Sequence, residues 1–392
     1  MKKAIALALL LLALCAAAQA EEYPGHTLKY FPILDLQLLS DQSFVGNCWE
    51  DASGDTARPH HLAWWQDGQV IRDMPYATGG AVGDLLTAQF LVNPDGSFKV
   101  LVKHRNPDSD GFSTDYDRCF LFDWTDKGLD NTIELPVGLT GMAAWANRVE
   151  AYGNHAVLTT HSEKEPCALT VYDTDGQAVA RAALPLSSRV HPVQFAEISD
   201  GVFLAEMSFL DGNGPTAGYQ YCLVCFDQGG LRWQKSLAQA VSLWPDHQGG
   251  AIISQSVTDE AYTPFIITRL DGNGKVIAQK TLSGKNVVLW LGPNTYDVDK
   301  RAYAFYGGAV ANSRRVYTVY RLITDEALIP LSWDVRDLSQ KYRDYSPNLL
   351  LSPQGTPFVW TREMRSDGHG ESALVPFDHL PASSADVGLE LE

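Results

Sequence analysis

The chain has 392 residues, of which 45% are hydrophobic and 20% charged, with a formal net charge of −17. So acidic a protein repels nucleic acid and anionic lipid, and no basic cluster offsets the charge, so neither is an expected partner. Six cysteines in this length are too few for a disulfide scaffold.

Residues 1–20 read as a signal peptide. Lys2-Lys3 give the positive start, Ala4 to Ala13 the apolar run, and Ala18-Gln19-Ala20 a small-residue cleavage site. The run is too short to cross a bilayer. The expectation is a secreted or periplasmic protein, cleaved near Ala20 and not inserted in a membrane. Cleavage leaves Cys48, Cys119, Cys167, Cys222 and Cys225. Residues 21–381 read as one domain and residues 382–392 as an acidic C-terminal tail.

Within that domain a two-part pattern returns about every 50 residues, a period typical of propellers and solenoids. Its first part is an apolar strand followed by a polar turn that ends in glycine. It spans Phe90 to Gly96, Phe195 to Gly201, Leu243 to Gly249 and Leu349 to Gly355. Its second part is a strand ending in Asp, a glycine turn, and a strand stopping at Leu. It spans Asp123 to Leu135, Asp173 to Leu184, Asp227 to Leu237 and Asp271 to Leu282.

Four strands per repeat follow, rich in Val, Ile, Tyr, Phe and Trp and separated by turn residues. The third repeat is expected to open with a strand at 141–146. The sixth opens with one at 286–291, followed by a long loop over 291–300. Val335–Tyr345 is the one stretch that reads as a short helix. The last repeat shows only three strands, at 348–351, 356–362 and 372–377. A spare strand, Thr27–Phe31, precedes the first repeat. Pairing the spare strand with the incomplete repeat closes a ring and removes the open sheet edges. The expected fold is all-β: a single β-propeller of seven four-stranded blades closed by the N-terminal strand.

Asp227-Gln228-Gly229-Gly230-Leu231-Arg232-Trp233 resembles the repeat signature of quinoprotein-like propellers, with one residue fewer before Trp. Asp173 to Gly176 and Asp271 to Gly274 are similar without the Trp. The resemblance, to the wider superfamily of quinoprotein-like and WD40-like blades, implies fold and not cofactor. Quinoprotein enzymes are longer and have eight blades.

One loop has metal-ligand spacing. Asn106, Asp108, Asp110 and Asp117 place side-chain oxygens at positions 1, 3, 5 and 12, with Gly111 at position 6. Phe112 would add its backbone carbonyl. An EF-hand loop wraps Ca²⁺ in this way. Asn106 replaces the first Asp and Asp117 the bidentate Glu, so the plain alternative is an acidic hairpin loop. Any bound Ca²⁺ would be structural.

The other motifs are weaker. Cys222-Leu223-Val224-Cys225 lies on a strand, where residues three apart face opposite ways, so it is not a redox pair. Parity does allow Cys167 and Cys222 to meet across neighbouring blades. His60-His61 reads as a solvated loop. Ser352 to Phe358 is similar to a sialidase-type turn, with Gln354 in place of its Asp. Trp145, Trp244 and Trp290 recur near the ends of first strands, where they line the channel or pack blades together.

No catalytic motif was found, so the expected function is non-enzymatic. It is a module that binds or scaffolds an extracellular protein or polysaccharide, as a monomer. The alternative is an extracellular carbohydrate-active hydrolase or lyase using carboxylates at the channel mouth.

Overall fold

The computed structural model describes residues 26–28, 31–49, 60–76, 85–105, 116–136, 148–160, 167–184, 190–211, 218–257, 264–285, 287–311, 316–338, 344–364, 370–383 and 388–392. A short strand, β1 (His26–Leu28), comes first. Blade one is β2 (Phe31–Ser40), β3 (Ser43–Trp49), β4 (His60–Gln66) and β5 (Gln69–Tyr76). Blade two is β6 (Leu85–Val92), β7 (Phe98–Arg105), β8 (Tyr116–Thr125) and β9 (Gly128–Leu135). Blade three is β10 (Arg148–Tyr152), β11 (His155–Thr160), β12 (Ala168–Tyr172) and β13 (Ala178–Ala183). Blade four is β14 (Val190–Ser199), β15 (Val202–Asp211), β16 (Gly218–Asp227) and β17 (Gly230–Leu237).

Blade five is β18 (Ser242–Pro245), β19 (Ala251–Ser256), β20 (Phe265–Leu270) and β21 (Val276–Ser283). Blade six is β22 (Val287–Asp297), β23 (Ala302–Ala311), β24 (Val316–Asp325) and β25 (Pro330–Asp337). Blade seven is β26 (Asp344–Leu351), β27 (Pro357–Met364) and β28 (Gly370–Pro376), completed on its outer edge by β1. His26 pairs with Leu374 and Leu28 with Ser372, antiparallel. The chain is therefore a seven-bladed β-propeller whose N-terminal strand closes the ring. A last strand, β29 (Glu390–Leu391), adds a fifth member to blade five, outside β21.

The two-part repeat corresponds to the two hairpin turns of each blade. Gly96, Gly201, Gly249 and Gly355 lie in turns between first and second strands, and Gly128, Gly176, Gly230 and Gly274 in turns between third and fourth strands; all eight have positive φ. Asp is favoured at the turn start because its carboxylate caps the turn. Asp173 Oδ1 accepts from the backbone N–H of Asp175 at 3.0 Å and of Gln177 at 2.8 Å. Asp271 and Asp325 do the same in blades five and six. At Gly96 (φ +83°) a Cβ would also lie 2.4 Å from the carbonyl oxygen of Leu39, so blade two docks its turn directly on blade one.

Seven apolar clusters form the core, one between each pair of neighbouring blades. Phe44 and Trp65 of blade one pack with Phe358 and Leu374 of blade seven, so the closing interface is as apolar as the rest. Outer strands also reach the next blade's turn. Trp233 Nε1 donates to the Gly272 carbonyl at 2.9 Å. This is the tryptophan of the quinoprotein-like signature.

In blades one, three, four, five and six the outer strand carries a bulge close to its turn. The extra residues include Ile71, Ile277 and Leu331, 46%, 49% and 60% exposed. A bulge twists the strand and blunts an edge that would otherwise recruit another strand.

Three expectations are corrected. Val335 is not helical: β25 runs to Asp337 and pairs with β24, with Val335 opposite Tyr320. Its alternating Leu331, Trp333 and Val335 have the period of a strand, and β26 already begins at Asp344. The loop expected over 291–300 is strand as far as Asp297, because a bulge between Leu291 and Asn294 absorbs Gly292 and Pro293. Blade three opens at Arg148, while the segment 141–146 lies outside the described residues. No helix among the described residues is long and apolar enough to cross a membrane.

Candidate functional site

Blade interfaces are apolar, but among the described residues several carry a polar link from a second strand to the start of the next blade. In blade one, Asn47 Nδ2 donates to the Ala88 carbonyl of β6 at 2.7 Å. In blade two, Lys103 Nζ meets Glu150 Oε2 of β10 at 3.0 Å. In blade four, Glu206 Oε1 accepts from the Val241 N–H at 3.4 Å. Glu206 is fully buried, and its Oε2 has no partner among the described residues. Burial pushes its carboxyl up to about 7, only partly offset by the Val241 N–H.

A charged network lies on the turn face of blades five and six. The buried Asp246 accepts from the backbone N–H of Gln248 at 2.8 Å and of Gly250 at 2.7 Å. It also accepts from Arg269 Nε at 3.1 Å. Arg269 Nη1 donates to the Glu326 carbonyl at 3.0 Å, and its guanidinium lies 5.4 Å from the Tyr303 ring centre. The Glu326 carboxylate accepts from Arg301 and from the Tyr296 hydroxyl at 2.6 Å. Arg301, then Tyr296, holds Glu326 down at about 2.

These groups define what this face can do. A general acid must keep its proton near neutral pH. Glu326 is ionised throughout that range, and Asp246 accepts from three donors. Glu206 has the right proton affinity but no exposed surface. Asp246 and Glu326 hold the loops of this face in place.

The expected calcium ligands Asn106, Asp108, Asp110 and Phe112 lie outside the described residues; Asp117 is the second residue of β8. Among the described residues, no group of three or more His, Cys, Asp or Glu side chains could hold a metal. His60 and His61 are not in a loop: both belong to β4, and His61 Nδ1 lies 2.7 Å from Asp73 Oδ1 of β5. The strand runs on because β3 pairs with it as far as His60. Trp244 packs against the cluster between blades five and six. Trp290 pairs in register with Gly308 and covers it. Trp145 lies outside the described residues.

Cys222 faces blade three and Cys225 faces blade five, as strand alternation requires. Cys167 and Cys222 share the cluster between blades three and four, yet both are free thiols. Burial pushes them up to about 12 and about 11, so neither is a reactive thiolate. The Asp246–Arg269–Glu326 network escaped sequence reasoning. Asp246 lies within the Leu243 to Gly249 turn of the repeat, but Arg269 and Glu326 belong to no motif.

No protein-family model matches the chain, and no curated protein matches it in sequence. Among solved structures it is similar to Chaetomium thermophilum Sqt1 bound to the N-terminus of the ribosomal protein L10, at 9% identity and a TM-score of 0.42, covering 90% of this chain and 100% of that one. It is similar to the WD40 domain of SCAP from fission yeast, at 9% identity and a TM-score of 0.40, covering 90% and 88%. It is also similar to a subtype N11 neuraminidase-like protein of A/flat-faced bat/Peru, at 9% identity and a TM-score of 0.38, covering 77% and 89%. At these values nothing about binding or activity transfers to this chain.

Proposed function

We propose that this propeller is a secreted, non-enzymatic binding module that holds an extracellular protein or polysaccharide on a rigid ring. The observation that supports this most is the state of the turn-face carboxylates. Asp246 and Glu326 are each fixed by an arginine and by further donors, so their geometry is preset. Preset polar groups on a stiff scaffold lower the cost of binding. A loop calcium ion held by Asn106, Asp108, Asp110, Phe112 and Asp117 belongs to the same proposal as a structural element.

The test is a glycan array run beside a pull-down, using protein that lacks residues 1–20. Retention of a glycan or protein without turnover is the expected result. Release of new reducing ends or unsaturated sugar ends from a bound polysaccharide would contradict the proposal and favour a hydrolase or lyase.

A further inference from the structure

The blade wedges separate all but two of the cysteines that remain after cleavage. Cys48 belongs to the cluster between blades seven and one, Cys119 to that between blades two and three, and Cys225 to that between blades four and five. Among the described residues, none of these clusters holds a second cysteine. The wedge between blades three and four holds both Cys167 and Cys222, at 0% and 1% exposure.

Backbone pairing aims both side chains. Leu184 N–H donates to the Cys167 carbonyl at 2.7 Å, which carries the ladder of β12 and β13 one step past Ala168. Cys167, Leu169 and Val171 then alternate onto the face toward blade four. Cys222 stands opposite Met207 in the ladder of β15 and β16, and Cys222, Val224 and Phe226 alternate toward blade three. The two thiols therefore enter one wedge from its two walls. Each is within electrostatic reach of the other: after burial, Cys222 is the second influence that raises the Cys167 thiol.

A disulfide spans Cα atoms no more than about 7 Å apart, whereas packed sheets stand about 10 Å apart. A link between blades thus needs small side chains around it, and this wedge has them. The outer strand of blade three, β13, lies against β16. It presents Ala180 and Ala182 to the wedge, and β15 adds Ala205. Alanine on both walls lets the sheets approach where large side chains would hold them apart.

We propose that Cys167 and Cys222 form a disulfide that staples blade three to blade four. The proposal rests on the export part of the proposed function, since exported chains meet disulfide oxidants. Each thiol gives up one proton and one electron, and the two sulfurs join. The oxidant is a disulfide, of glutathione or of a protein, which takes up the two electrons and two protons and leaves as two thiols. Both sulfurs are reduced in this structure and sealed from solvent. Exchange therefore precedes closure of the wedge, and the closed wedge then shields the bond from reductants. The bond closes a loop of about 55 residues, which restricts the unfolded chain.

The test unfolds the full chain in reductant, refolds it in a buffer of reduced and oxidised glutathione, alkylates it in urea and maps its peptides without reduction. One linked pair, Cys167 with Cys222, is expected, with Cys48, Cys119 and Cys225 alkylated. The refolded protein should keep the link in dithiothreitol and lose it when urea is added. It should melt about 5 °C above the same protein refolded in reductant alone. Cys222→Ser should melt alike in both preparations, whatever its own stability.

Alkylation of both Cys167 and Cys222, or a link from either to a different cysteine, would overturn the proposal. Equal melting of the linked and the reduced protein would overturn the staple. Because refolding is done outside any cell, free thiols there overturn the pairing and leave the proposed function standing.

Discussion

Asp41 and Ser352 stand 311 positions apart in the chain, yet Ser352 Oγ donates to Asp41 Oδ1 at 2.6 Å. Thr356 Oγ1 donates to the other carboxylate oxygen at 2.9 Å. Asp41 lies in the first turn of blade one and its two donors flank the first turn of blade seven. This carboxylate joins the two ends of the ring on the turn face, opposite in logic to β1, which joins them through backbone pairing. Hydrogen bonds to a charged group contribute roughly 1.5–3 kcal/mol each before losses to solvent. Asp41→Ala should lower stability by about 1–2 kcal/mol in urea unfolding. An unchanged midpoint would show that the seam is held by the apolar cluster alone.

Glu206 makes stability depend on pH. Burial raises its folded value from 4.5 to about 7, so between these pH values the folded protein keeps a proton that the unfolded chain has lost. The contribution is complete below about pH 4.5 and is lost as pH rises through about 7. The loss amounts to at most roughly 3 kcal/mol. Glu206→Gln keeps the neutral form at every pH, so its stability should fall less with rising pH than that of the wild type and exceed it at pH 8. Equal pH slopes in the two proteins would refute this role.

Gly308 is fixed by a close approach. A Cβ there would lie 1.9 Å from Trp290 Cζ2 on the paired strand. The indole covers the glycine and leaves no room for a methyl group. Gly308→Val should cost about 3 kcal/mol by overpacking, and Trp290→Leu in the same chain should recover part of it. Thermal unfolding of the single and double variants checks both expectations.

For the loop Asn106–Asp117, weak calcium binding in the range of roughly 10⁻⁴–10⁻³ M is expected from three carboxylates and one amide. Millimolar calcium should raise the melting temperature, and Asp110→Ala should abolish the rise while leaving the calcium-free melt unchanged. Identical melting in calcium and in chelator would reduce the segment to an acidic loop.

Most of the fold was legible because it is written in turns. A glycine with positive φ and a capping Asp are local demands, and they recur together at several hairpins, as at Asp173–Gly176 and Asp271–Gly274. Closure was legible because β1 and the three strands of blade seven each lack what the other supplies. The C-terminal strand was not legible, since Leu389–Glu392 is too short to carry a period and its partner, β21, is more than 100 residues away. The ion network was hidden for a related reason. Arg269 and Glu326 meet only because blades five and six stack, and no local pattern records that meeting. His60 and His61 misled because polar residues on a strand resemble a loop until β3 and β5 are known to flank them.

The central claim is that β1 completes blade seven and so closes the ring. The most direct measurement is calorimetric unfolding of protein lacking residues 1–20, compared with the same protein also lacking residues 21–29. Removing β1 leaves the edge of β28 unpaired and frees blade seven from the start of the chain. The account predicts one cooperative transition for both proteins, with the truncated form melting at least about 2–3 °C lower, as a loss of about 2 kcal/mol or more gives for a chain of this size. Superimposable transitions would contradict closure by the N-terminal strand.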